Sequence, residues 1–207
     1  MIMKKMMMIA AMMVATLTAN AQFAAGTFSL QPKAGLTLSE ITSNDARIKA
    51  GFTAGVEAQY QVNYWFGVAA GVSYAQQGTK IKDYDSKVKT SYVNVPIMAK
   101  FYPVKRLALG AGIQPGFMTS AKITEVQLLG GKGDMDIKDN CNTFDFSIPL
   151  SVAYESPIGL IIEARYNAGL TNVAKDAFKG GNYDTYDKVT KNKNSVFMLT
   201  IGYKFSL

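Results

Sequence analysis

The stretch that decides the fold closes the chain: Ser195-Val196-Phe197-Met198-Leu199-Thr200-Ile201-Gly202-Tyr203-Lys204-Phe205-Ser206-Leu207. Phe197, Leu199, Ile201, Tyr203, Phe205 and Leu207 fall on one face. Val196, Met198, Thr200, Gly202, Lys204 and Ser206 fall on the other. A period of two is the side-chain period of a strand. One bulky apolar face with aromatics, and one small or polar face, is the pattern of a strand that closes a barrel in a membrane. If so, the other strands must carry the same two faces, and the chain must carry an export signal.

Working outward, the same alternation recurs seven more times. Phe28–Ser39 opens the series. Phe52–Gln61 and Phe66–Ala75 follow, joined by a short turn at Asn63-Tyr64. Val93–Tyr102 and Leu107–Met118 flank Pro103-Val104-Lys105-Arg106. Phe144–Glu155 and Leu160–Thr171 flank Ser156-Pro157-Ile158-Gly159. Pro32 weakens the first strand as a ladder donor. The longer connections are Glu40–Ala50, Gln76–Thr90 (in part extended strand ends), Thr119–Asn142 and Val173–Asn194. Eight strands with strictly alternating long and short connections predict an all-β, eight-stranded antiparallel up-and-down transmembrane β-barrel. Long external loops and short periplasmic turns follow.

Export is expected from the N-terminus. Lys4 and Lys5 precede an apolar core, Met6–Leu17, and Ala19-Asn20-Ala21 is an A-x-A cleavage site. Residues 1–21 read as a cleaved signal peptide and 22–207 as the barrel domain. No later apolar run approaches the ~20 residues of a helical span. The formal charge is +7, of which Lys4 and Lys5 carry two. No basic run with interleaved aromatics points to nucleic acid.

Face composition bears on which side is out. Soluble lipocalin-like barrels also have eight strands, with the apolar face inward. An eight-stranded interior is just filled by side chains, so the bulky face is expected outside and the small, polar face inside. Aromatics at strand ends (Phe52 and Tyr60, Phe66 and Tyr74, Phe144 and Tyr154) read as two interfacial girdles. The inward face then carries Glu57, Lys100, Asp145, Glu155, Glu163, Arg165 and Lys204. Unpaired charge in a narrow lumen is costly, so a cross-strand salt-bridged plug is expected, with a small-solute channel as the alternative.

The chain has no histidine, so a Ser-His-Asp or Cys-His arrangement and a His-based metal site are impossible. Gly130-Gly131-Lys132-Gly133 lacks the spacing of a phosphate loop. No cofactor or enzymatic activity is expected. The single cysteine, Cys141, lies in a polar stretch and reads as a loop thiol. Two connections carry paired signs: Lys80, Lys82, Asp83, Asp85, Lys87 and Lys89 in one, and Lys175 to Lys193 with Tyr183 and Tyr186 in the other. They suit a surface role.

Three runs add a resemblance: Val93-Asn94-Val95-Pro96-Ile97-Met98-Ala99-Lys100-Phe101-Tyr102, Glu163-Ala164-Arg165-Tyr166-Asn167-Ala168-Gly169-Leu170-Thr171-Asn172 and Ile201-Gly202-Tyr203-Lys204-Phe205. With the opening Lys33-Ala34-Gly35-Leu36-Thr37-Leu38-Ser39, the chain resembles the PorT-like outer-membrane β-barrel family of Bacteroidota. Thr37 stands where that family commonly has Asn. The resemblance implies an outer-membrane location in a Gram-negative cell and, for most members, no known activity; one branch is associated with protein secretion. The partners so implied are outer-membrane lipid and lipopolysaccharide, the barrel assembly machinery, and an extracellular or secretion-system protein. Tyr203, Phe205 and Leu207 are the expected assembly signal, although the chain ends on Leu207 where such barrels usually end on an aromatic. A soluble periplasmic ligand-binding barrel is the reading from a different class.

Overall fold

The computed structural model describes residues 25–41, 46–81, 87–128, 131–173 and 193–207. The expected signal peptide lies outside these residues, as do Lys82, Asp83, Asp85, Gly130 and most of the Val173–Asn194 connection, including Tyr183 and Tyr186.

Twelve strand segments form one closed antiparallel sheet. In chain order they are β1 (Thr27–Ile41), β2 (Ala46–Arg47), β3 (Lys49–Gln61), β4 (Phe66–Ile81), β5 (Lys87–Asn94), β6 (Ile97–Val104), β7 (Leu107–Leu128), β8 (Gly131–Asp136), β9 (Phe144–Glu155), β10 (Leu160–Asn172), β11 (Lys193–Tyr203) and β12 (Phe205–Ser206). β5 and β6 are consecutive halves of one stave, each pairing with β4 and β7, and so are β11 and β12, each pairing with β1. With β1, β3, β4, β7, β9 and β10 these make eight staves. The barrel closes where β11 meets β1, from Lys33 opposite Gly202 to Ile41 opposite Asn194.

The two interrupted staves break at proline. Between β5 and β6 lie Val95 and Pro96, bridged instead by Gly71 N–H to Pro96 O and Val95 N–H to Pro115 O. Between β11 and β12 lies Lys204, beside the point where β1 passes Pro32. A proline has no N–H to give a ladder. On its other side, toward the start of β10, the Lys204 N–H donates to Gly159 O, 2.7 Å away.

The outward face is apolar on every stave: Leu36, Phe52, Val72, Ile97, Ile113, Leu150, Ile162 and Leu199 are all exposed. The inward face is small, polar or charged, and buried. Aromatic pairs mark two levels. Phe52 with Tyr74 and Phe117 with Phe144 (centroids 5.7 Å apart in each) lie toward the end with the long connections. Phe28 with Tyr60 and Tyr203 with Phe205 (4.7 Å in each) lie toward the short turns. A spanning strand needs about 9–11 tilted residues, and Phe52–Tyr60 supplies such a length.

The connection expected over Thr119–Asn142 is not a loop. β7 continues to Leu128 and turns back as β8, followed by a 3-10 turn at Lys138–Asn140. Past Met118 a bulge shifts the phase of the alternation, leaving Ala121 buried and Lys122 exposed, and β5 supplies the partner for β7 up to Lys87 opposite Thr124. β4, β5, β7 and β8, with β2 on the far edge of β4, thus form an external extension of the barrel wall.

Cys141 is a thiol in no disulfide, outside the twelve strand segments, as expected. It is buried with Tyr92, Met118, Ala121 and Val173, with Ile137 packed against them. Its neighbours in sequence are polar, but the β7–β8 return folds Ile137 and Cys141 into the external mouth. Ile137 N–H donates to Ala121 O and Asn142 N–H to Val173 O.

Candidate functional site: the ion-paired lumen

Among the described residues, chemistry-bearing side chains converge in the lumen, and period-two alternation puts them there. Glycines opposite three of the long side chains make room. Lys33 is flanked across the ladder by Gly55 and Gly202, Glu57 by Gly71, and Lys100 by Gly67 and Gly110. A Cβ on Gly71 would come 2.6 Å from Glu57 Cγ, and one on Gly202 would come 2.7 Å from Lys33 Cγ.

Glu57, on β3, is the hub. One of its oxygens accepts from Lys33 Nζ at 2.6 Å and from Lys100 Nζ at 3.4 Å; the other accepts from Arg165 Nη2. Glu163, on β10, accepts from Lys33 Nζ at 2.5 Å and from Arg165 Nη2 at 2.6 Å. Three cations and two carboxylates therefore meet at mid-lumen. Glu163 is 1% and Lys100 2% exposed. Neutral groups carry the network toward the short turns. Lys100 Nζ donates to Gln59 Oε1 (3.0 Å) and Gln31 Oε1 (3.2 Å). Gln59 Nε2 donates to the Tyr102 hydroxyl (2.7 Å), which donates to Glu155 Oε1 (2.9 Å). Glu155 Oε2 accepts from Lys204 Nζ at 2.7 Å. The chain of bonds runs unbroken from Lys204 to Glu163.

Six of the seven charged residues singled out in the sequence belong to this network. The seventh, Asp145, is buried near the external end and accepts from Thr171 Oγ1 at 2.6 Å; among the described residues it has no ion pair. Lys33, Gln31, Gln59 and Tyr102 belong to the network and were not singled out, although the same alternation places each on the inward face.

The arrangement leaves little open space. A cavity of about 30 Å3, lined by Lys33, Thr53, Glu57, Ser73, Arg165 and Met198 among others, lies beside the cluster. That volume holds one or two waters. Toward the external end, Tyr92, Met118, Ala121, Cys141 and Val173 pack together. Below it, Tyr102, Ala108, Ala153 and Ile161 pack together. Among the described residues no His/Cys/Asp/Glu group could hold a metal.

The expected assembly residues sit on the closing stave. Tyr203 and Phe205 stack at 4.7 Å, and Phe205 pairs with Leu30. Leu207 donates its N–H to Phe28 O while its side chain stays exposed.

Comparison with known proteins agrees with this geometry. The sequence profile of the outer membrane protein beta-barrel domain matches residues 19–175. No curated protein matches. Among solved structures, the chain is similar to Ail, the attachment invasion locus protein of Yersinia pestis. Identity is 16%, coverage 88% of this chain and 100% of that one, and the TM-score 0.51. Ail in complex with the heparin analogue sucrose octasulfate gives 16%, the same coverage and 0.52. Neisserial surface protein A gives 15% identity, 86% and 97% coverage, and 0.53. Identities this low speak to fold alone. That fold has its apolar face outward and its ions inward, the reverse of a soluble lipocalin-like barrel. The chain belongs to the outer membrane protein β-barrel domain family.

Proposed function

We propose that this outer-membrane barrel is non-enzymatic and sealed, and that it works through its external surface as a structural or surface-interaction protein. One observation carries the reading: the bond network from Lys204 through Glu155, Tyr102, Gln59, Lys100 and Glu57 to Glu163 fills the lumen. A filled lumen leaves the lipid face and the external ends as the surfaces able to meet a partner. Likeness to Ail, whose name is attachment invasion locus protein, and to a Neisserial surface protein supports a surface role. The partners on this reading are outer-membrane lipid and lipopolysaccharide, the assembly machinery during insertion, and an extracellular or secretion-system protein. Resemblance to the PorT-like family of Bacteroidota fits the same role, with residues 1–21 as the export signal.

Pull-downs from native outer membrane test it, comparing the intact chain with one lacking residues 174–192. Both should remain heat-modifiable on gels, as a folded barrel does, and only the intact chain should capture external partners. If both chains capture the same set, the surface-interaction role fails.

A further inference from the structure

The mid-lumen cluster does not balance its own charge. Lys33, Lys100 and Arg165 are held by two carboxylates, Glu57 and Glu163. Lys204 and Glu155 pair with each other and cancel. Gln31, Gln59 and Tyr102, the other members of the network, are neutral. One positive charge is left over among buried side chains, and a charge without a counter-charge inside a protein is costly. Asp145 does not supply the balance. It is bonded to Thr171, which lies six residues beyond Arg165 on β10, about 20 Å along a strand.

The unspent donors of the cluster meet at one place. An ammonium carries three N–H groups, and Lys33 spends two, on Glu57 and Glu163. Arg165 spends Nε and Nη2 on the same two carboxylates, and among the described residues nothing accepts from its Nη1. Both side chains line the cavity of about 30 Å3 beside the cluster, together with Thr53, Ser73 and Thr200. The Thr53 hydroxyl donates to Tyr74 O. The Ser73 and Thr200 hydroxyls have no partner among the described residues. Glu57 is the one acid in the lining, and its oxygens already serve three cations. Asn94, buried and opposite Ser73 in the ladder, brings a further unspent donor to that rung, its Nδ2.

Surplus donors, spent acceptors, a net positive field and room for one small group are together what an anion requires. Water alone would satisfy the donors but leave the charge. A chloride ion takes little more room than a water, whereas a tetrahedral oxyanion is too large for the cavity.

We propose that this cavity binds one small monovalent anion of chloride's size, as the third anion of the cluster. Lys33, Arg165 and the hydroxyls of Ser73 and Thr200 are its ligands. The ion is structural: it brings the cluster to neutrality as the barrel closes around it. The site goes beyond the surface-interaction reading, which does not depend on it.

The test is urea unfolding of the mature barrel in phosphatidylcholine vesicles, read from Trp65, with sodium chloride replacing sodium gluconate at constant ionic strength. Gluconate is too large for the cavity. One bound chloride makes the unfolding constant fall about tenfold for each tenfold rise in chloride above its dissociation constant. Bromide should act as chloride does, and sulfate should not. Thr200→Val removes one ligand with little change of shape and should raise the half-saturating chloride about tenfold. Arg165→Met leaves two cations facing two carboxylates and should lose the dependence. Ser73→Asp ties a carboxylate into the cavity; it should also lose the dependence and should exceed the wild type in stability in gluconate. Crystals of the barrel grown in bromide should show its anomalous density between Lys33 and Arg165. A wild-type midpoint that ignores chloride overturns the site, and would mean that one lysine sheds its proton to balance the cluster. Water alone in the cavity of the bromide crystals overturns it, as does an equal effect of sulfate, which would mark general screening. Large conductance steps beside an intact chloride effect would sink the sealed-lumen reading and leave the site standing.

Discussion

Glu57→Gln is the perturbation that reads the lumen most sharply. The mid-lumen cluster holds Lys33, Lys100 and Arg165 against Glu57 and Glu163, one positive charge in excess. Glutamine keeps the shape of Glu57 and one acceptor oxygen, so no cavity opens. What changes is charge: three buried cations are left facing one carboxylate, two in excess. Removing one partner of a buried ion pair costs about 3–5 kcal/mol, because the other charge stays buried. Glu57 serves three cations, so about 4–5 kcal/mol is expected. Arg165→Met removes a larger group but leaves two cations facing two carboxylates, with Lys33 still bridging Glu57 and Glu163. It should cost less, about 2 kcal/mol, mainly the unmade bonds on the two carboxylates. The assay is urea unfolding of the barrel in phosphatidylcholine vesicles. The fluorophore is Trp65, the single tryptophan, which sits exposed in the turn between β3 and β4. A Glu57→Gln cost under about 1 kcal/mol, or a larger cost for Arg165→Met, would refute the hub assignment.

Three further outcomes are expected. Tyr102→Phe removes the hydroxyl between Gln59 and Glu155 and should lower stability by about 1–3 kcal/mol in the same assay; an unchanged midpoint would show that the two halves of the network are not coupled through it. Gly112→Ala would bring a Cβ 2.0 Å from Ile97 O, and overpacking of this kind costs about 1–3 kcal/mol; a neutral result would mean that the wall yields there. Phe205→Ala should reduce assembled barrel in membrane fractions more than Leu207→Ala, since Phe205 stacks on Tyr203 and pairs with Leu30; the reverse order would place the assembly signal at Leu207.

The barrel was legible in the sequence because a membrane barrel imposes one pattern on every stave. Phe197, Leu199 and Ile201 show it as clearly as Phe52, Val56 and Tyr60. Strand ends were less legible. β7 runs ten residues past Met118 because a partner strand and an internal face continue beyond the bilayer, where outward residues such as Lys122 need no longer be apolar. The burial of Cys141 was not legible for a related reason: it depends on a return hairpin, which no local composition announces. Lys33 lies on the inward face by the same alternation. Its place in the cluster had a signal after all. Gly55 and Gly202, the residues opposite Lys33, have no side chains, and the spacing of inward glycines marks where long lumen side chains lie.

Single-channel recording of the refolded protein in planar bilayers tests most directly whether the lumen is sealed by its own ion pairs. The network from Lys204 to Glu163 predicts little or no steady conductance in the wild type. Stable, large single-channel steps from the wild-type barrel would contradict it.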